Sequence, residues 1–346
     1  MIVVIIAGGS GTRLWPLSTP SHPKHLLKID NVDLSLLQLT YNRAKSISDS
    51  IYVVTESGHV LTVREQLTQV PSDKFIIEPG RRGTANCILS SLIYLQCSKV
   101  SPNEPIAILP SDHFVRDIDG FEDTFKIASA LSQSHKKLAL IGVEPDYPST
   151  GFGYIQKGSK LKSVNYAYNV LKFAEKPDYT TALKYVHSGN YLWNSGYFIG
   201  SLNIFKESIK LHAPQLFKNY KLLSNSINKE QYIKNYLSLE TLSIDYALIE
   251  KMPNLLVVPA MFDWLDVGTY SDLHKIVSKE EGTNNYSRGP IYLNNVTDSY
   301  LSNKSSKPLV VIGLDNIVVI NSEHGLLVMN KNDSQSLGSI VKDIKD

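Results

Sequence analysis

The stretch Met1–Ser18, MIVVIIAGGSGTRLWPLS, decides how the rest of the chain is read. Ile2 to Ala7 is an unbroken apolar run, as expected of a strand buried on both faces. Glycines follow at positions 8, 9 and 11. They let a backbone approach an anion closely and turn successive N–H groups toward it. Arg13 and Lys24 add a planar guanidinium fork and a point charge, and Pro16, Pro20 and Pro23 stiffen the chain between them. A Walker A loop would need Lys-Ser/Thr after its last glycine, and a dinucleotide loop would need a small residue where Leu14 stands. The stretch is therefore either another class of phosphate binder or a surface loop with incidental basic residues.

Outward from this strand, apolar runs recur at 51–55, 74–78, 105–110 and 138–143. Stretches of helical length with mixed faces separate them at 34–47, 58–70 and 84–97. This β-α-β-α rhythm predicts an α/β fold around a mixed, mainly parallel sheet. After Pro148, aromatic strand-like segments suggest a second lobe beside the sheet edge; helices are expected at 201–211 and 229–250, and a strand at 254–260. The polar stretch 278–290 reads as a linker. It divides a catalytic domain, 1–280, from a small β-rich domain, 288–346, in which apolar triplets recur every eight residues as a hairpin meander or rudimentary β-helix.

With 346 residues and 42% hydrophobic content the chain can bury a large core, and a net charge of +2 argues against nucleic-acid or polybasic membrane binding. Cys87 and Cys97, ten apart in one predicted helix, indicate neither a disulfide framework nor a zinc site. No apolar run reaches the roughly 18 residues of a membrane span, and the N-terminus lacks a basic leader. A cytoplasmic protein is expected.

Acidic residues supply the next candidates. Asp112 in LPSDHF stands just past a central strand, where open α/β sheets bind ligands. It suits Mg²⁺, or it is a turn residue or helix cap. Asp266 in FDWLDVGTY is a second candidate ligand, with Asp263 as its rival; either could instead cap the helix expected near Thr269. Asp117 and Asp119 form a D-x-D pattern that metal-dependent glycosyltransferases use, but they precede an amphipathic helix and read as helix-start chemistry. Glu175 and Lys176 in FAEKP pair an acceptor suited to sugar hydroxyls with a cation suited to phosphate, if a twist or bulge before Pro177 brings both into one cleft. Asn194 in WNSGYF both donates and accepts.

The ordered set AGGSGTRLWPLS, PKHLL, EPGRRGTAN, LPSDH, TGFGYI, FAEKP, WNSGYF, SIDYALIEK and WLDVGTY resembles the sugar-nucleotidyltransferase family, most of all its branch of guanylyltransferases acting on mannose 1-phosphate. The resemblance implies a Rossmann-like nucleotidyltransferase domain followed by a left-handed β-helix-like domain. It implies Mg²⁺-dependent transfer of GMP from GTP to α-D-mannose 1-phosphate, giving GDP-mannose and pyrophosphate. It places Gly8, Gly9, Gly11, Thr12, Arg13, Lys24 and Ser111 on the nucleotide and its phosphates, and Arg82, Gly83 and Thr84 near the base. Asp112 and Asp266 would hold Mg²⁺; Gly153, Glu175 and Asn194 would line the sugar pocket; Lys176 would meet the sugar phosphate. Arg13, Lys24, Asp112, Lys176 and Asp266 would thus carry catalysis. Ser243 in SIDYALIEK reads as a helix N-cap, in a segment that packs or orders the site.

Three departures from the family pattern stand out: His25-Leu26 for Gln-Phe, Gly83-Thr84-Ala85-Asn86 for Asn-Thr-Ala-Pro, and Thr269-Tyr270 for Ser-Trp. The second bears on base selectivity. Some relatives carry a further isomerase domain, which this 346-residue chain is expected to lack. The β-rich tail offers a surface for a homodimer.

Overall fold

The opening apolar run forms β1 (Ile2–Ala7), hydrogen-bonded in parallel on one side to β2 (Ser50–Glu56) and on the other to β4 (Pro105–Pro110). Val3, Val4 and Ile5 are fully buried, and each such side chain contributes about 1.5–3 kcal/mol relative to exposure. This central position explains the lack of alternation, since both faces of the strand are covered. The computed structural model describes residues 1–9, 11–29, 32–161, 166–281 and 284–341. They divide into two units. One comprises Met1–Ala7, Tyr41–Pro110 and Val115–Trp264, the other Gly8–Thr40, Ser111–Phe114 and Leu265–Asp346.

The first unit is built on a nine-stranded sheet of order β3-β2-β1-β4-β9-β6-β10-β8-β7. Its remaining strands are β3 (Phe75–Glu78), β6 (Ala139–Val143), β7 (Tyr154–Lys160), β8 (Tyr168–Ala174), β9 (Tyr191–Ser201) and β10 (Leu256–Pro259). Only β8 and β9 run against the others, so the sheet is mixed but mainly parallel in direction. The aromatic segments after Pro148 do not form a separate lobe. Strand β9 inserts between β4 and β6, with Ala107 and Ala139 both opposite Ile199, and β7 and β8 extend the same sheet. Long-range pairing of this kind leaves no signature in local periodicity.

Helices α1 (Leu36–Ala44), α2 (Val60–Gln66), α3 (Gly83–Cys97), α4 (Ile118–His135), α5 (Tyr179–Ser188), α6 (Leu202–His212), α7 (Pro214–Ser224), α8 (Lys229–Leu237) and α9 (Ile244–Ala247) complete the α/β pattern. The expected helix 229–250 is broken between α8 and α9, where Ser243 caps α9 through its hydroxyl. Asp117 caps α4 by accepting from the Gly120 N–H, as its helix-start reading anticipated. Cys87 and Cys97 are free thiols on α3, one buried and one exposed.

The second unit joins β5 (His113–Phe114) to β11 (Leu265–Asp266) and continues through α10 (Tyr270–Glu281). Strands β12 (Tyr286–Arg288), β14 (Tyr300–Asn303) and β16 (Ile317–Ser322) then stack in parallel, as do β13 (Ile291–Asn294) and β15 (Leu309–Ile312). Strand β17 (Gly325–Asn330) turns back on β16, and α11 (Leu337–Ile340) ends the described chain. Successive parallel rungs make a β-coil closed by one hairpin. Its core includes Leu14 of the opening loop together with Val267, Tyr270, Tyr300, Val318 and Leu327. Helix α10 reaches Glu281, into the stretch read as a linker. Among the described residues no helix is long and apolar enough to cross a membrane.

Candidate active site

In the second unit the glycine-rich loop faces open space at its first two glycines. A side chain added at Gly8 or Gly9 would meet nothing within 4 Å. Gly9 and Gly11 have φ of 108° and 62°, the left-handed region that favours glycine. At Gly11 a side chain would also strike Lys24, approaching its Cβ to 2.7 Å, so glycine here lets Lys24 pack against the loop. The Ser18 hydroxyl donates to the Gly11 carbonyl, and Leu14 N–H donates to the same carbonyl at 2.9 Å. Tyr270 holds the loop from below, its hydroxyl 2.9 Å from the Leu14 carbonyl and 3.0 Å from that of Trp15.

The antiparallel register of β5 and β11 sets His113 opposite Asp266. That pairing brings Asp112 and Asp266, 154 positions apart in the chain, onto one ammonium. Lys24 Nζ lies 2.7 Å from Asp112 Oδ2, 3.4 Å from Asp266 Oδ1 and 3.3 Å from the Val267 carbonyl. Burial by itself would lower the Lys24 pKa, but the two carboxylates outweigh it and hold the ammonium well above its ordinary range. Burial would likewise raise Asp112; Lys24, then His113, reverse this and keep it below the usual carboxylate range. Both groups are thus charged at neutral pH. One ligand atom each from Asp112, His113 and Asp266 lie within 4.8 Å of one another, a group able to take a divalent cation. The buried Ser111 hydroxyl beside them has no hydrogen-bond partner among the described residues. Asp263 is elsewhere: it accepts from the Arg116 and Asp117 N–H groups at 2.7 and 2.9 Å. Neither aspartate caps α10: the Thr269 hydroxyl accepts from the Asp272 N–H at 3.4 Å, and the Asp272 carboxylate reaches back to the Gly268 and Thr269 N–H groups at 3.1 and 2.9 Å.

Arg13 donates to Gln335 Oε1 at 3.0 Å, and Gly268 and Gly338 leave room for its side chain. A side chain at Gly338 would approach Thr12 Oγ1 to 3.4 Å. Gln335 and Tyr270 were not among the predicted site residues: Tyr270 ends the WLDVGTY stretch without a role assigned to it, and no local motif marks Gln335.

In the first unit a second cluster forms around Glu175. Lys176 adopts φ 45°, a left-handed turn immediately before Pro177, and its ammonium sits 3.0 Å from Glu175 Oε1. Glu175 is almost fully buried while Lys176 is half exposed. Burial, then the charge of Asp245, pushes the Glu175 carboxyl up; Lys176 opposes the rise. A side chain at Gly153 would come within 2.5 Å of Glu175 Oε2, so glycine is required for the carboxylate to lie there. Asn194 N–H donates to the Gly153 carbonyl at 2.8 Å, and its Nδ2 donates to Asp245 Oδ1 at 2.9 Å. The structure thus brings Gly153, Glu175, Lys176 and Asn194 together, and adds Asp245.

Arg82, Gly83 and Thr84 open α3, where their polar groups serve the backbone. The Arg82 guanidinium donates to the Leu237 and Arg81 carbonyls, and Thr84 Oγ1 accepts from Ile244 N–H at 3.0 Å.

The nucleotidyl transferase family profile matches residues 2–282. A mannose-1-phosphate guanylyltransferase of Escherichia coli is 31% identical over 355 residues, spanning 99% of this chain and 75% of its own length. The mannose-1-phosphate guanylyltransferase RfbM of Salmonella typhimurium is 33% identical over 350 residues, spanning 99% and 72%. A crystal structure from Thermus thermophilus, described as a mannose-1-phosphate geranyltransferase, superimposes with a TM-score of 0.86 at 24% identity over 99% of this chain and 98% of that one. The parallel-sheet core, the open glycine loop and the paired aspartates sit within a chain that belongs to the nucleotidyl transferase family and is an enzyme of that class.

Proposed function

We propose that this enzyme transfers GMP from GTP to α-D-mannose 1-phosphate, forming GDP-mannose and pyrophosphate by direct in-line displacement. The names of relatives that match nearly all of this chain and about three quarters of their own length support the substrates. The observation that carries the chemistry is the Lys24–Asp112–Asp266 cluster in the same unit as a glycine-rich loop whose Gly8 and Gly9 face open space.

A phosphate monoester has a second pKa near 6, so the acceptor is a competent nucleophile at neutral pH without a general base. The difficulty is charge. Two like unit charges at about 4 Å repel by roughly 4 kcal/mol at an effective dielectric of 20. Arg13 and Lys24 would face the triphosphate, with Gly8, Gly9, Gly11, Thr12 and Ser111 supplying N–H and hydroxyl donors. Arg82, Gly83 and Thr84 would frame the base. Lys176 would receive the sugar phosphate, while Gly153, Glu175 and Asn194 orient the hydroxyls. Asp112 and Asp266 would hold Mg²⁺, sharing their negative charge with Lys24. When bound, Mg²⁺ would neutralise charge on the triphosphate and on departing pyrophosphate. We also expect a cytoplasmic enzyme and a homodimer, the latter testable by light scattering.

The test is a panel of nucleoside triphosphates against sugar 1-phosphates, read as pyrophosphate release. GTP with mannose 1-phosphate should give the highest kcat/KM. Preference for dTTP or UTP with glucose 1-phosphate would replace this assignment with another nucleotidyltransferase specificity. Turnover of a sugar nucleotide without pyrophosphate would point to glycosyl transfer.

A further inference from the structure

The chain between α8 and α9 lies along the start of α3. Ala85 N–H donates to the Leu242 carbonyl at 3.0 Å and Leu242 N–H to the Arg82 carbonyl at 3.1 Å. Ile244 N–H reaches Thr84 Oγ1 at 3.0 Å. Gly83, at φ 81°, permits this contact, because a side chain there would run into the Leu242 backbone. Asn86 secures the other end. Its buried amide donates to the Arg82 and Glu240 carbonyls at 2.8 and 2.9 Å and accepts from Asn219 at 3.0 Å.

The same segment then presents Asp245. Its Oδ1 accepts from Asn194 Nδ2 at 2.9 Å and its Oδ2 from the Ser243 hydroxyl at 2.9 Å. Asn194 Oδ1 in turn accepts from Gly196 N–H at 3.2 Å. Both ends of the Asn194 amide are therefore held, and half a turn about its last bond would exchange donor for acceptor. One N–H of the amino group is used on Asp245, which leaves its second N–H for a ligand oxygen.

We infer that Asp245 is the positioning residue of the sugar site: it fixes the Asn194 amide with one N–H available to a sugar oxygen, and is itself tied to the Arg82–Ala85 segment through Ser243 and Leu242. This rests on the proposed function, in which Asn194 meets the sugar. The charge of Asp245 also reaches Glu175 and helps to push its carboxyl up. A purely architectural Asp245, serving only the first turn of α9, would affect stability and both substrates alike.

Asp245→Ala and Asp245→Asn separate these roles through kcat, the KM of each substrate and Tm. Asp245→Ala should raise KM for mannose 1-phosphate about tenfold, the scale of one lost charge-assisted hydrogen bond, with KM for GTP within about twofold. Asp245→Asn keeps an acceptor oxygen and should recover most of that loss. Should Asp245→Ala fail to fold, Asp245→Ser, whose hydroxyl is one bond shorter, takes its place. Equal rises in both KM values, an unchanged sugar KM, or an Asn variant no better than Ala would overturn the inference. If the wild-type enzyme uses a different nucleotide and sugar phosphate, the functional proposal falls, and the Asp245 comparison is run with that pair instead.

Discussion

The two polar clusters are made by different means. Around Lys24, a two-strand pairing draws remote aspartates onto one buried ammonium. Around Glu175, a missing side chain at Gly153 and a left-handed turn at Lys176 let polar groups crowd together. The first is a device of charge, with one ammonium set among two carboxylates and a backbone carbonyl. The second is a device of shape, with an amide and a carboxylate held in fixed orientation. A cluster governed by charge should fail when a charge is removed at constant volume. A cluster governed by shape should fail when volume is added at constant charge.

Asp112→Asn tests the first half of that contrast and carries the largest expected effect. It preserves volume and should lower kcat by about two to three orders of magnitude, the scale of a lost transition-state electrostatic contact, while circular dichroism shows an intact fold. Near-normal turnover in Mg²⁺ would remove Asp112 from the machinery.

Gly153→Ala tests the second half. The added methyl carbon would lie 2.5 Å from Glu175 Oε2, and overpacking of this kind costs about 1–3 kcal/mol. Its expression should be a tenfold or greater loss of kcat/KM for the sugar phosphate, with little change in KM for GTP. A smaller loss, of roughly tenfold in KM for sugar phosphate, is expected of Lys176→Ala, whose half-exposed ammonium is partly screened. A larger rise in KM for GTP would reverse the assignment of Lys176.

The smallest effect belongs to the scaffold beneath the loop. Tyr270→Phe removes the hydroxyl that donates to the Leu14 and Trp15 carbonyls, and should cost about 1–3 kcal/mol in denaturant unfolding. An unchanged midpoint would show that the loop does not depend on that anchor.

Much of this was legible in the sequence because the governing forces are local. Residues 2–7 announce a strand buried on both faces, and Asp117 and Ser243 occupy helix starts that their side chains favour. The position of β9 was not legible, since its neighbours β4 and β6 are chosen by long-range packing. For the same reason, the approach of Asp266 to Asp112, while Asp263 turns to the Arg116 and Asp117 N–H groups, comes from the pairing of β5 with β11 and not from local sequence. Glu175 and Lys176 were recognisable as a pair, but the turn that joins them is a backbone property that their identities do not encode. Asp245 was concealed in a segment read only as packing or ordering the site, because its partner Asn194 is 51 residues away.

The central claim is that Asp112 and Asp266 together hold a divalent cation on the nucleotide. Mn²⁺ binding in the presence of GTP, followed by electron paramagnetic resonance in the wild type, Asp112→Asn and Asp266→Asn, tests it most directly. Each substitution should weaken Mn²⁺ affinity by at least about tenfold, the smallest step worth roughly 1.4 kcal/mol. Wild-type affinity in both variants would contradict the account.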